Sequence, residues 1–194
     1  MATYLIGDQH YFHASADKPD GIIRLAGRPF ACGRDMNSAL QIAHNAVVKP
    51  SDDVIFLGDF AHRAGDKELR KLFDSLNGRK HLVPGNHDGP DTLALPWASP
   101  PKEIVFASID SQRVVLCHYA LRTWPGIRKG ALMLFGHSHG RLSGNSQSMD
   151  IGVDTMGWAP VRLNQIKQRL AQLPPLVDPE ATDEIVNTSG GVKP

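Results

Sequence analysis

Cysteine is scarce in this chain, and neither sign of charge is in excess. The two cysteines, Cys32 and Cys117, lie far apart, and neither belongs to a Cys-x-x-Cys pair. This excludes a disulfide scaffold, a disulfide-linked partner and a thiolate metal site, and it fits a reducing compartment. Lysine and arginine total 21 against 20 acidic residues, a formal net charge of +1. No global field therefore draws the chain to nucleic acid or to a membrane surface, and any charge-based recognition is local. No uninterrupted apolar stretch approaches the roughly 20 residues that a membrane helix needs. The opening segment, Met1 to Asp8, has no basic leader and turns polar too early for a signal peptide. A soluble, cytoplasmic protein is expected. Histidine is what the chain has in surplus, nine in 194 residues, and most of them fall in a few clusters.

With 41% hydrophobic and 21% charged residues, the chain has material for one domain with a proper core. That domain is expected over residues 1–173. From Pro174 onward the composition turns to Pro, Asp, Glu, Gly, Ser and Thr, so residues 174–194 read as a mobile tail. Tyr4-Leu5-Ile6, Val54 to Leu57, His81-Leu82-Val83 and Leu132 to Phe135 are too short for helices and read as buried strands. Glu103 to Ala107 and Arg113 to Cys117 form a hairpin turning near Asp110-Ser111, and Met149 to Asp154 is a last strand. Helices are expected over Asp35 to Val48, with Leu40, Ala43 and Val47 on one face, and over Asp66 to Leu76, where Leu69, Leu72, Phe73 and Leu76 recur at helical spacing. A third, Leu163 to Leu173, aligns Leu163, Ile166 and Leu170. Residues 16–34 and 89–101 read as loops. Apolar runs without alternation imply strands covered on both faces, an α/β arrangement.

Five of these runs finish in residues of metal-ligating type: Asp8, Asp59, Asn86 with His87, His118, and His137 with His139. In α/β sheets, sites form where loops leave the carboxyl ends of strands, so the five endings can converge on one rim. Each taken singly is an ordinary polar turn; the set is not. At Gly85-Asn86-His87-Asp88 the glycine permits a sharp bend after the strand, and three polar side chains then fan out. The donor set is nitrogen and oxygen without thiolate, which suits Mn²⁺, Fe²⁺, Zn²⁺ or Ni²⁺. Seven ligands are too many for one tetrahedral ion. They suit two ions sharing a carboxylate, roughly 3.5–4 Å apart. Two divalent ions outweigh the charge of Asp8 and Asp59, and the resulting positive rim fits an anionic ester and phosphoryl chemistry.

In order, Asp8-x-His10, Gly58-Asp59, Gly85-Asn86-His87-Asp88, His118 and Gly136-His137-x-His139 resemble the blocks of the calcineurin-like metallophosphoesterase superfamily. The resemblance spans residues 4 to about 140. Asn77-Gly78-Arg79-Lys80 and His118-Tyr119-Ala120-Leu121 look like its compact bacterial and phage members. The resemblance implies a four-layer α-β-β-α sandwich of two mixed β-sheets flanked by helices, with a dimetal site at the carboxyl ends of the strands. It implies one metal held by Asp8, His10, Asp59 and His139, and a second held by Asp59, Asn86, His118 and His137, with Mn²⁺ foremost. His87 would give a proton to the leaving oxygen and Asp88 would orient it. The reaction would be hydrolysis of a phosphate ester by a dimetal-bridging hydroxide, with no covalent enzyme intermediate.

His13, His62, Arg63 and Arg122 are candidate substrate contacts, each with a solvated or packed loop residue as the alternative. Trp97 and Trp124 either stack a nucleobase or anchor the core. The chain is short and carries no obvious inserted cap, so phosphodiesters are expected over monoesters, and a nucleic acid or nucleotide substrate stays open. A phosphomonoesterase acting on phosphoprotein or nucleotide is the alternative. A catalytically silent binding module of the same fold is the rival from another class, and the full set of ligands speaks against it.

Overall fold

The computed structural model describes residues 1–13 and 21–177. Residues 16–20 of the expected first loop and 178–194 of the expected tail lie outside them. Strands β1 (Thr3–Ile6), β2 (Asp53–Phe56) and β3 (Arg79–Leu82) run parallel, and β8 (Val161–Arg162) pairs antiparallel to β1, giving the order β3-β2-β1-β8. A second four-stranded sheet holds β4 (Ile104–Ile109), β5 (Gln112–Cys117), β6 (Leu132–Phe135) and β7 (Ser148–Asp150) in sequence order. β4 and β5 are antiparallel; β5, β6 and β7 are parallel. The hairpin turns at Asp110 and Ser111, whose φ values of 47° and 64° are what a two-residue turn matched to strand twist demands.

Alternation along each strand divides the core into layers. Leu5, Leu57, Val83, Val114, Leu116, Leu132 and Leu134 meet between the sheets. Ile6, Val54, Phe56 and Leu82 face α2 (Gly33–Val47) and α3 (Asp66–Ser75), which supply Met36, Leu40, Leu69, Leu72 and Phe73. Val115, Cys117, Met133 and Phe135 face outward under Trp124, Ile127 and Ala131, in a loop with a 3-10 turn at Ile127–Lys129. Both faces of the first sheet and of β5 and β6 are thus covered, as the apolar runs require, while edge strand β4 leaves Ile104 and Phe106 exposed on its outer face. Helix α6 (Leu163–Leu170) seats Leu163, Ile166 and Leu170 in the inter-sheet layer, as its spacing predicts.

Several boundaries differ from expectation. α2 starts at Gly33 and buries Met36, Leu40 and His44, while Val47 is 37% exposed. His44 takes the inner face because its Nε2 meets the Asn77 carbonyl at 2.9 Å and its ring stacks on Phe56. The last strand stops at Asp150, and Val153–Met156 forms a helical turn, α5. Short helices occupy both expected loops, α1 (Ile22–Leu25) and α4 (Pro90–Leu93). β8 is two residues long behind Pro160 and gives no periodic signal. Trp97 packs edge-on against Phe56, Phe60 and Phe73 and donates to the Thr92 carbonyl, while Trp124 is buried and donates to Ala131. Both are core anchors. The first residues of the expected tail are pinned: Ser146 N–H donates to Pro174 O, and Leu176 N–H donates to Ser146 Oγ. Among the described residues no helix is long and apolar enough to cross a membrane.

Burial pushes His44 down to about 4, against the Asn77 bond that favours its charged form. In the unfolded chain it titrates near 6.5. Between these values the unfolded chain takes up a proton that the folded chain refuses, so folding stability is lost as pH falls from about 6.5 toward 4. His44→Gln is expected to flatten that fall in urea unfolding, by at most about 1.4 kcal/mol per pH unit for one proton. An unchanged slope would refute it.

Candidate active site

Every expected ligand follows the carboxyl end of a strand: Asp8 and His10 follow β1, Asp59 β2, Asn86 β3, His118 β5, and His137 with His139 β6. Asp8, His10, Asp59, His137 and His139 all adopt left-handed φ, between 49° and 64°. Such a conformation costs about 1–3 kcal/mol per residue and persists only where the surroundings over-determine it, though Asp and His tolerate it better than most. Here they do. Asp8 N–H donates to Gly58 O at 3.0 Å and His10 N–H to Asp59 O at 2.8 Å. The Arg28 guanidinium, 4% exposed, donates to the carbonyls of Asp8 and Gln9 at 2.6 and 2.9 Å. Gly58 lies at φ 81°, and a Cβ there would press into the His118 ring. Gly85 departs from expectation: its φ is not left-handed, and the glycine is needed for space, because a Cβ would collide with Asp59 Oδ1.

These loops gather the expected ligands into two groups. Ligand atoms of Asp8, His10 and His139 lie within 4.8 Å of one another, as do those of Asp59, His118 and His137. Asp59 Oδ2 joins the groups, at 3.3 Å from His10 Nε2 and 3.4 Å from His118 Nε2. Asn86 Oδ1 completes the second, 3.1 Å from His118 Nε2 and 2.9 Å from His137 Nδ1. Tautomers follow from the outer contacts. His118 Nδ1–H donates to Leu57 O at 2.9 Å and His139 Nδ1–H to Asp154 Oδ2 at 2.7 Å, so each turns Nε2 inward, where it would offer a lone pair to a bound cation.

The electrostatics fit a cation. Asp8 Oδ2 and His10 Nε2 are buried with no hydrogen-bond partner among the described residues. Burial pushes Asp8 up to about 7, although His139 draws it down, and burial pushes His10 down to about 2, although Asp59 opposes it. Burial works against the Asp59 charge too, yet the His118 bond and the nearby His10 hold it well below the usual carboxylate range. Asp59 in turn overcomes burial at His118 and raises it to about 8. A neutral imidazole at His10 beside an ionised shared carboxylate is a nitrogen–oxygen donor set suited to divalent ions.

Asp88 is corrected. Its carboxylate accepts the backbone N–H groups of Asp59 and Gly85 at Oδ2 and of Phe60 at Oδ1, at 2.8–2.9 Å. It ties the two ligand loops together and is not hydrogen-bonded to the His87 ring. His13 and His62 do come to the site and pack against His87. Arg63 lines a cleft beside His87, whereas Arg122 is exposed and shares no hydrogen bond or ion pair with the cluster among the described residues. Three residues were missed. Asp154 holds His139 and is itself gripped bidentately by Arg28 at 2.8 and 2.9 Å. Tyr119, half exposed, lies with its ring 4.6 Å from that of His137. No spacing marks Arg28 or Asp154, because their roles depend on a contact across 126 positions. Tyr119 adjoins His118, and that adjacency was the one available signal.

Two facing mixed sheets with this rim define a metallophosphoesterase-type centre. The family model described as calcineurin-like phosphoesterase matches residues 1–164, and the chain belongs to that family. The family implies divalent metal ions, and the two ligand groups fit them. A solved structure, the protein of unknown function AQ665 from Aquifex aeolicus, shares the fold with a TM-score of 0.65 at 22% identity, over 86% of this chain and 98% of that one. The uncharacterised protein MJ1445 of Methanocaldococcus jannaschii is 40% identical over 86 residues, 44% of this chain and 46% of that protein. The chain thus matches about half the length of that relative. YfcE, a phosphoesterase from E. coli, superposes with a TM-score of 0.43 at 14% identity, over 84% of this chain and 82% of that one, too loosely to bear on function.

The three backbone donors on Asp88 predict a structural role. Asp88→Ala strands buried N–H groups, each costing about 1–3 kcal/mol, and is expected to lower unfolding free energy by roughly 2–5 kcal/mol. Urea denaturation measures this, and a loss within error of zero would contradict it.

Proposed function

We propose that the chain is a dinuclear metal-dependent phosphodiesterase. One observation carries this reading: a single carboxylate oxygen, Asp59 Oδ2, stands 3.3–3.4 Å from a histidine of each ligand group. Asp8, His10, Asp59 and His139 would hold one ion, and Asp59, Asn86, His118 and His137 the other. Bound divalent ions supply Lewis acidity toward the phosphoryl oxygens and acidify water for attack at phosphorus. The remaining work belongs to the chain. Asp59 stays ionised and orders both groups, while its Oδ1 accepts the His87 N–H at 2.8 Å and fixes that residue at the rim. The His87 ring lies 5.1 Å from the His10 ring, close enough to give a proton to the leaving oxygen. Arg63 would pair with substrate phosphate.

The diester preference rests on access. Asn86 and His137 are exposed at the rim. A cleft of about 460 Å³, lined by His62, Arg63, Asn86, His87, Gly89 and Thr92, leads off on the His87 side. That volume suits a sizeable second substituent on phosphorus. The ion proposed first is Mn²⁺, on the family resemblance, and the nitrogen–oxygen donor set also suits Fe²⁺, Zn²⁺ or Ni²⁺.

With Mn²⁺ loaded, chromogenic diesters are expected to turn over faster than monoesters; much faster monoester turnover would overturn the preference. Asp59→Asn is expected to lose both ions after dialysis, read by elemental analysis, together with all hydrolysis. His87→Ala is expected to keep both ions while turnover falls about 10²–10⁴-fold, the usual range for a positioned acid. Loss of the ions in His87→Ala would show that the residue is a ligand.

A further inference from the structure

Three histidines outside the ligand set share one corner of the site. His87 Nδ1 lies 3.2 Å from His62 Nδ1, and their rings meet at 77° with centroids 5.0 Å apart. His13 leans on both, 4.2 Å from the His62 ring and 5.2 Å from the His87 ring, and its Nδ1 lies 3.1 Å from His10 Nδ1. Two imidazole nitrogens this close need one proton between them. With a divalent ion on its buried Nε2, His10 would carry its proton on Nδ1 and donate it to His13 Nδ1. The lone pair of a neutral His13 would then be engaged. Nitrogens of His13, His62 and His87 lie within 4.8 Å of one another, and with His13 so engaged the cluster would be a poor cation site. Asp88, expected to hold His87, is occupied by three backbone N–H groups. His62 stands at the ring instead.

We propose that His62 is the positioning residue for the proton donor His87, with His13 bracing the pair from the metal ligand His10. This rests on the reading of His87 as the acid. The water oxygen bonds to phosphorus opposite the leaving group, and its proton passes to solvent. The P–O bond to the leaving group breaks with its electron pair on the leaving oxygen, and protonated His87 gives that oxygen the proton on Nε2. His87 Nδ1–H remains donated to His62 Nδ1 throughout, so the ring cannot rotate away, and His87 regains its Nε2 proton from solvent after the product leaves. The Nδ1 contact thus fixes which nitrogen faces substrate.

The test compares the full metal-loaded chain on two diesters, one with a nitrophenolate leaving group and one with an alkoxide. A nitrophenolate departs without a proton, whereas an alkoxide needs one. His62→Ala is expected to lower kcat about 30-fold on the alkyl ester and less than about threefold on the aryl ester, while any KM change from its place in the cleft falls on both esters alike. His62→Asn, which keeps an acceptor near the Nδ1 position, is expected to recover most of the loss. The double variant with His87→Ala is expected to be no slower than His87→Ala alone. Independently of turnover, NMR of the zinc-loaded chain is expected to show a slowly exchanging imidazole proton that His62→Ala removes. Equal losses on both esters, or additive losses in the double variant, would overturn the proposal. So would a third zinc equivalent lost with His62, which would make the cluster a cation site. If His87→Ala itself shows no dependence on the leaving group, the acid reading fails and the proposal with it. Dependence in His87→Ala without it in His62→Ala sinks only the proposal.

Discussion

The Asp59 carboxylate is the point on which the rest of the site depends. Oδ2 faces a histidine of each ligand group, Oδ1 accepts the His87 N–H, and its own N–H is held by Asp88. One side chain therefore couples the two groups to each other and to the loop that carries His87. Its charge survives burial because His118 and His10 crowd it, and the same charge raises His118. A buried carboxylate shared by two neutral-or-cationic rings is costly unless the surroundings are fixed in advance.

The fold supplies that fixing. Phe60, next in sequence, is wholly buried among Phe56, Phe73 and Trp97, so the aromatic layer beneath the helices anchors the loop bearing Asp59. On the other side, Arg28 holds the Asp8 and Gln9 carbonyls and, through Asp154, the ring of His139. Left-handed backbone at five ligands is tolerable only under such bracing. Glycines at 58, 85, 136 and 152 leave the room in which the carboxylates of Asp8 and Asp59 and the His118 ring sit against neighbouring backbone.

What was legible in the sequence, and what was not, divides along range. Ligand residues at the ends of apolar runs were readable because the run and the residue that closes it are adjacent. The face of α6 was readable because Leu163, Ile166 and Leu170 repeat at helical spacing. The face of α2 was misread because His44, polar by type, buries its ring on Phe56 and satisfies its nitrogen on Asn77. Asp88 was assigned to its sequence neighbour His87, yet backbone donors from two loops claimed it.

By itself the sequence determined the α/β class and the placing of carboxylate, amide and imidazole side chains at the strand ends, since each follows from residue type and local spacing. Only the tertiary structure decided that Asp59 Oδ2 lies between His10 and His118, that Arg28 and Asp154 stand behind His139, and that His62 meets His87. Those contacts join residues far apart in the chain. Their distances are set by how the two sheets stack and where the loops turn, which local spacing does not encode.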